Sequence, residues 1–201
     1  NRTPDQQDGE FLLPIEAYGL KTMSMGYLTT AETPMVWRGP MASSALSQLL
    51  EKTLWGDIDL LLVDMPPGTG DIQLTLSQRA TLSGAVIVTT PQDIALLDAR
   101  KGIEMFQKVD VPVLGLIENM SSHTCPACGH SEPLFGEAGG ENLAAHYAVP
   151  LLAQIPLSRA IREQSDQGRP IVVSEPEGQE AQIYQQAATA LVTSLAQQQP
   201  A

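Results

Sequence analysis

Apolar residues follow two patterns along this chain. Continuous apolar runs are typical of strands buried on both faces of a parallel sheet, and they occur at 58–64, 84–90, 111–119 and 149–156. Elsewhere, apolar residues recur at the spacing of one helical face, at 41–54, 93–109, 157–168 and 178–199. The alternation of strands and helices predicts an α/β fold with a mostly parallel sheet flanked by helices.

The two ends of the chain have weaker patterns. Residues 1–16 contain two prolines and predict irregular structure, followed by short strands near Gly19–Leu20 and Met35–Val36. The segment 178–201 predicts a C-terminal helix with a fraying tail. No internal repeat or low-complexity linker divides residues 1–201, so we expect one α/β domain.

Charge narrows the classes of partner. The chain has 23 Asp and Glu against 11 Lys and Arg, a net charge of −12. Nucleic acid and anionic membranes attract basic surfaces, so we expect no nucleic acid and no membrane as partners. No run approaches the roughly 18 apolar residues of a membrane span, and residues 1–10 are too polar and acidic for a secretory signal. The sequence therefore predicts a cytoplasmic protein.

A glycine-rich acidic loop, DMPPGTGD (64–71), follows the first apolar run. Ligands of open α/β sheets bind beyond the carboxyl ends of strands. There Asp64 can hold Mg²⁺ through water, and Gly68 and Gly70 let backbone N–H groups approach a phosphate. A tight strand-to-helix turn, with Asp71 capping the helix, explains the same residues equally well.

The only two cysteines lie close together in HTCPACGH (123–130). Cys125 and Cys128 have the spacing of thiolates that share an iron-sulfur cluster or a structural zinc. His123 and His130 flank them and offer further zinc ligands. A redox disulfide is less favoured, because a redox CxxC normally opens a helix, and a pair with no function also stays open.

Five motifs occur in one order and together resemble the Mrp/ApbC family of iron-sulfur cluster carriers, which are P-loop ATPases related to MinD. They are WRGPMAS (37–43), LLVDMPPGTGDIQLTL (61–76), TTPQDIALLDARKG (89–102), GLIENMS (115–121) with CPAC just after, and PLSRAIREQSDQGRP (156–170). The resemblance runs from about Tyr18 to Pro176.

The resemblance implies a site for ATP and Mg²⁺. The family's Mg²⁺-associated catalytic aspartate matches Asp64, and its switch loop, which senses the γ-phosphate, matches Pro67, Gly68 and Thr69, with Gly68 also catalytic. The residue that contacts adenine matches Asn119, whose carboxamide can both donate to and accept from a base.

The resemblance also implies a cargo. In the family, two subunits of a homodimer bridge a [4Fe-4S] cluster, and the matching ligands here are Cys125 and Cys128. The cluster would then be delivered to apo iron-sulfur proteins. A zinc-stapled interaction domain and a MinD-like positioning ATPase are the alternatives, although the latter calls for a basic C-terminal amphipathic helix and 178–199 contains no Lys or Arg.

One motif of the family is missing. The sequence contains no Walker A signature, G-x-x-x-x-G-K-[ST], and none of its four lysines follows a glycine. Without that loop little remains to cradle the phosphates, so we expect a fragment of a longer ATPase that is inactive by itself. In related ATPases the Walker A strand lies beside the strand matching 58–64, so we expect an unpaired apolar strand edge there.

Overall fold

The computed structural model describes residues 2–28, 39–66 and 71–198, which fall into two compact units, 1–81 and 82–201. Each unit is described by itself. The single domain expected over 1–201 stays a prediction.

The N-terminal unit begins with two small antiparallel hairpins. They pair β1 (Gln6–Gln7) with β2 (Phe11–Leu12) and β3 (Ile15–Ala17) with β4 (Leu20–Thr22). The irregular structure predicted for 1–16 is therefore wrong. The reason is turn chemistry: Asp8-Gly9 and Tyr18-Gly19 adopt positive φ, which suits tight hairpin turns between strands.

Three helices complete the described part of this unit: α1 (Met25–Leu28), α2 (Gly39–Glu51) and α3 (Asp71–Arg79). The structure confirms the helix predicted at 41–54 and adds α3, directly after the glycine-rich loop. The predicted strand near Met35–Val36 lies outside the described residues.

The strand predicted at 58–64 is wrong, because the segment is irregular. Its leucines are exposed, Leu62 by 75 %. A parallel strand needs neighbours to satisfy its backbone N–H and C=O groups, and no strand of the described residues pairs with this segment. Among the described residues, the apolar run therefore has no paired strand of the kind that its composition requires.

The C-terminal unit is built on a parallel sheet of three strands in the order β5-β6-β9. These are β5 (Ala85–Thr89), β6 (Val113–Asn119) and β9 (Leu151–Ile155), and they confirm three of the predicted strands. A small antiparallel hairpin, β7 (His123–Thr124) with β8 (Ser131–Glu132), lies between β6 and β9 in the chain.

Five helices accompany these strands: α4 (Asp93–Lys108), α5 (Gly139–Tyr147), α6 (Arg159–Asp166), α7 (Ile171–Ser174) and α8 (Gln179–Gln198). The sheet contacts α4, α5 and α8. The core joins Leu116 of β6 and Ile103 of α4, both fully buried, to Ile87 and Leu143. The α/β fold predicted from the sequence is confirmed.

Candidate functional site

The cysteine pair occupies the turn of the β7–β8 hairpin. The N–H of Cys125 donates to the carbonyl of His130 over 2.8 Å, and the N–H of Gly129 donates to the carbonyl of Cys125 over 2.8 Å. Gly129 has a φ of 73°, which glycine adopts without strain. These local bonds close a turn that carries both thiols.

Backbone amides favour the thiolate form of Cys125. The N–H groups of Ala127 and Cys128 donate to it and, together with the Cys128 side chain, lower the pKa of Cys125, while partial desolvation and the charge of Glu132 act in the opposite direction. The thiolate is the form that binds metals. Cys125 is half-buried, Cys128 is exposed, and both are free thiols. The turn therefore presents two free thiols close together at the surface.

The flanking histidines do not complete a site within the chain. Within 2–28, 39–66 and 71–198, no group of three or more His, Cys, Asp or Glu side chains is placed to hold a metal. His123 lies in β7, opposite Glu132 of β8, and His130 is exposed at the end of the turn. The described part of one chain thus offers two ligands at this point.

Asn119 ends strand β6, where the chain leaves the sheet toward the cysteines. Its Oδ1 accepts a hydrogen bond from the N–H of Met120 over 2.9 Å, which fixes the direction of the carboxamide. Its Nδ2 makes no hydrogen bond with the described residues. The side chain is therefore anchored through one end and has a donor free for a ligand.

Glu118, beside Asn119, was missed by sequence reasoning. It is 1 % exposed, although it carries a carboxylate. Its Oε2 accepts from the N–H of Gly140, at the start of α5, and its Oε1 accepts from Nε2 of Gln154 on β9 over 3.0 Å. A carboxylate within a continuous apolar run was the available signal.

The other predicted residues belong to the N-terminal unit. Asp64 is exposed in an irregular segment, and Pro67, Gly68 and Thr69 lie outside the described residues. Just beyond them, Nε2 of Gln73 donates to the carbonyl of Pro66 over 3.1 Å. The structure thus brings Cys125 and Cys128 together, with Asn119 in the same unit.

Comparison with known proteins decides the family. The profile of the ParA family, described as NUBPL iron-transfer P-loop NTPases, matches residues 1–192. The chain belongs to this family. The resemblance drawn from the five sequence motifs is thereby confirmed.

Relatives of this chain carry related names. An iron-sulfur cluster carrier protein of Pseudomonas fragi is 58% identical over 92% of this chain and 64% of its own length. The Escherichia coli K12 protein of the same name is 56% identical over 97% of this chain and 53% of its own. The iron-sulfur cluster transfer protein NUBPL of mouse is 50% identical over 96% and 60%. The chain therefore spans about half to two thirds of the length of these relatives.

Solved structures agree on the fold. A nucleotide-binding protein of Archaeoglobus fulgidus, in complex with ADP and with cobalt found in it, is 35% identical with a TM-score of 0.70, covering 88% of this chain and 67% of its own. The cell division ATPase MinD of Pyrococcus furiosus is 25% identical with a TM-score of 0.54, covering 78% and 59%. In the described part of this chain, no helix has the length and apolar character to cross a membrane.

Proposed function

We propose that this chain carries an iron-sulfur cluster as cargo on Cys125 and Cys128, shared with the same pair of a second copy. The observation that carries the proposal is the hairpin turn, where two backbone N–H groups favour the Cys125 thiolate. The names of the relatives support it, since they are called cluster carriers or cluster transfer proteins.

Ligand count supports the sharing. A [4Fe-4S] cluster takes about four thiolates, and the chain has two cysteines. A two-fold axis brings the same patch of two subunits together, so a symmetric homodimer supplies four thiolates at one point. The exposure of Cys128, with the half-exposed Leu134 nearby in the chain, leaves this surface open to a second copy. The delivered cluster would go to apo iron-sulfur proteins in the cytoplasm.

Nucleotide is the second ligand of the proposal. The free Nδ2 of Asn119 would contact adenine, and Pro67, Gly68 and Thr69 would sense the γ-phosphate. Asp64 fits Mg²⁺, because it is an exposed carboxylate and Mg²⁺ in nucleotide sites takes one or two carboxylates with phosphates and water. Asp64 would hold that ion through water, and the ion would neutralise the charge of the phosphates.

Metal analysis tests the cargo. After reconstitution without oxygen, we expect about two iron and two sulfide per chain, because two chains share four of each. Cys125→Ala and Cys128→Ala should lose both. His123→Ala and His130→Ala, the matched controls, should keep both. Zinc without iron, lost in the histidine variants, would instead identify a zinc staple and overturn the proposal.

Dimerisation and turnover are tested separately. Light scattering should show a dimer for the loaded protein and a smaller species for Cys128→Ala; a loaded monomer would contradict the sharing.

We propose that the 201-residue chain alone does not hydrolyse ATP, because its sequence has no Walker A loop. Mg²⁺-dependent turnover that disappears in Asp64→Asn would refute this inactivity.

A further inference from the structure

A buried carboxylate lies at the base of the segment that carries the cysteines. Strand β6 ends at Asn119, Ser121 and Ser122 still bond to Ile155 and Leu157, and the chain then makes the β7–β8 hairpin and returns at α5. We call residues 120–138 the cysteine excursion. Glu118 lies just before the start of the excursion, and Gly140 lies just after its end. The N–H of Gly140 donates a hydrogen bond to Oε2 of Glu118. One hydrogen bond therefore joins the two ends of the excursion.

The surroundings of Glu118 account for its burial without a cation. No ion pair of the described residues includes it. Its oxygens accept instead from a backbone N–H and an amide, and the N-terminus of a helix favours a negative charge. Ala138, the N-cap residue of α5, provides no side-chain cap. Glu118 thus supplies from β6 the acceptor that the first turn of α5 lacks.

Close packing fixes the returning chain on the same spot. A Cβ atom on Gly140 would lie 2.7 Å from Oε2 of Glu118. A Cβ atom on Gly139 would lie 3.0 Å from the carbonyl oxygen of Pro91 and 2.7 Å from a methyl group of Leu96. Two consecutive glycines therefore let the backbone pass between the Glu118 carboxylate and the loop before α4.

We propose that Glu118 is a positioning residue for the cysteine pair, because its carboxylate pins the start of α5 to the end of β6 and so fixes where the excursion emerges. This inference rests on the proposed function, in which two copies share one cluster. Sharing requires both pairs to meet at one axis, so their placement matters as much as the shape of each turn. The hydrogen bonds of the turn set that shape. Placement is set at both ends of the excursion: Ser121 and Ser122 bond to Ile155 and Leu157 where it starts, and Glu118 holds the end that returns at α5.

The test compares three substitutions of Glu118. Gln keeps an oxygen for the Gly140 N–H, and Gln154 can turn its amide to match, so Glu118→Gln should behave like the parent. Asp retains the charge but is shorter by one methylene, and Leu removes the acceptor. Glu104→Gln is the control, since this exposed carboxylate accepts one hydrogen bond, from Tyr147, in the same unit.

The first readout is the rate at which a chelator removes iron from the reconstituted dimer. We expect Glu118→Leu and Glu118→Asp to lose iron about tenfold faster or more. Substitution of residues that orient metal ligands commonly weakens metal binding by at least this factor. Visible circular dichroism per bound iron should also change in these two variants, and should not in Glu118→Gln or Glu104→Gln. Parent-like rates and spectra in Glu118→Leu would overturn the inference.

The second readout does not need a cluster. In the metal-free protein, the Gly140 and Cys125 amides should exchange hydrogen faster in Glu118→Leu, while the core amide of Leu116 keeps its protection. If the parent holds no cluster, the proposed function fails, and this exchange still decides whether Glu118 holds the excursion. Unchanged exchange at Gly140 would overturn the inference. If Leu116 also loses protection, Gly140→Ala replaces Glu118→Leu in both readouts, with the same outcomes.

Discussion

One methyl group at Gly140 probes the carboxylate directly. The Cβ atom of Gly140→Ala would lie 2.7 Å from Oε2, 2.9 Å from Cβ and 3.0 Å from Cδ of Glu118. Glu118 is buried and held by Gln154, so it has little room to retreat. Gly102 provides the matched control in α4, because its Cβ would meet only a methyl group of Ile87, at an ordinary 3.5 Å.

The magnitude follows from two opposing effects. Overpacking typically costs about 1–3 kcal/mol, and displacing the carboxylate also weakens a hydrogen bond to a charged group, worth roughly 1.5–3 kcal/mol. In the opposite direction, replacing glycine by alanine lowers the conformational entropy of the unfolded chain, which stabilises the folded state by about 0.4–1 kcal/mol. We therefore expect Gly140→Ala to lose roughly 3 kcal/mol of unfolding free energy and Gly102→Ala to gain about 0.5 kcal/mol.

Urea unfolding of the metal-free protein, followed by far-ultraviolet circular dichroism, measures this difference. Both tryptophans, Trp37 and Trp55, belong to the N-terminal unit, so their fluorescence follows that unit separately. The slope of the unfolding free energy against urea concentration should be the same in the parent and the variants. A shift of the unfolding midpoint then reports a change in stability. Equal stability of Gly140→Ala and Gly102→Ala, or an equal loss in both, would show that the Glu118 carboxylate does not restrict a side chain at residue 140.

Three further predictions concern the C-terminal unit. Leu116→Ala empties a fully buried position and should cost about 3 kcal/mol in thermal or urea unfolding, whereas Val173→Ala, at a partly exposed site, should change stability by less than about 0.5 kcal/mol; equal losses would contradict the assigned core. The Cys125 thiol should react with iodoacetamide at lower pH than an unstructured cysteine, because its pKa is lowered, and Glu132→Gln should extend this reaction to still lower pH by removing an opposing charge; peptide mass spectrometry against pH checks the sign. Ser158→Ala removes the side-chain cap of α6 and the hydrogen bond from Ser158 Oγ to Glu180 on α8, and it should cost about 1 kcal/mol or more in unfolding, with faster amide exchange at Ile161; unchanged exchange there would contradict the cap.

The pattern of apolar residues correctly predicted those strands that pair with another strand of the described residues. The runs at 84–90, 111–119 and 149–156 became strands because each pairs with another of the three. The run at 58–64 has the same composition but no paired strand in the described residues, so periodicity alone misjudged it. A pattern reports what a segment can bury and does not report whether something is there to cover it.

The candidate site was predicted unevenly for similar reasons. The spacing of Cys125 and Cys128 predicted a pair of metal ligands in a loop, and the structure places them in one turn. The amides that favour the Cys125 thiolate depend on backbone direction, which residue types do not reveal. Glu118 escaped notice because its partner, Gly140, lies 22 residues away.

The hydrogen bonds within the cysteine turn lie between Cys125 and His130, and the pairing of β7 with β8 closes the hairpin that carries it. The turn therefore has its shape without a metal, and none of these bonds comes from the sheet β5-β6-β9. Loading and unloading would then leave the energy of the sheet nearly unchanged. A fold whose stability does not depend on the bound cluster can bind and release the cluster repeatedly without unfolding.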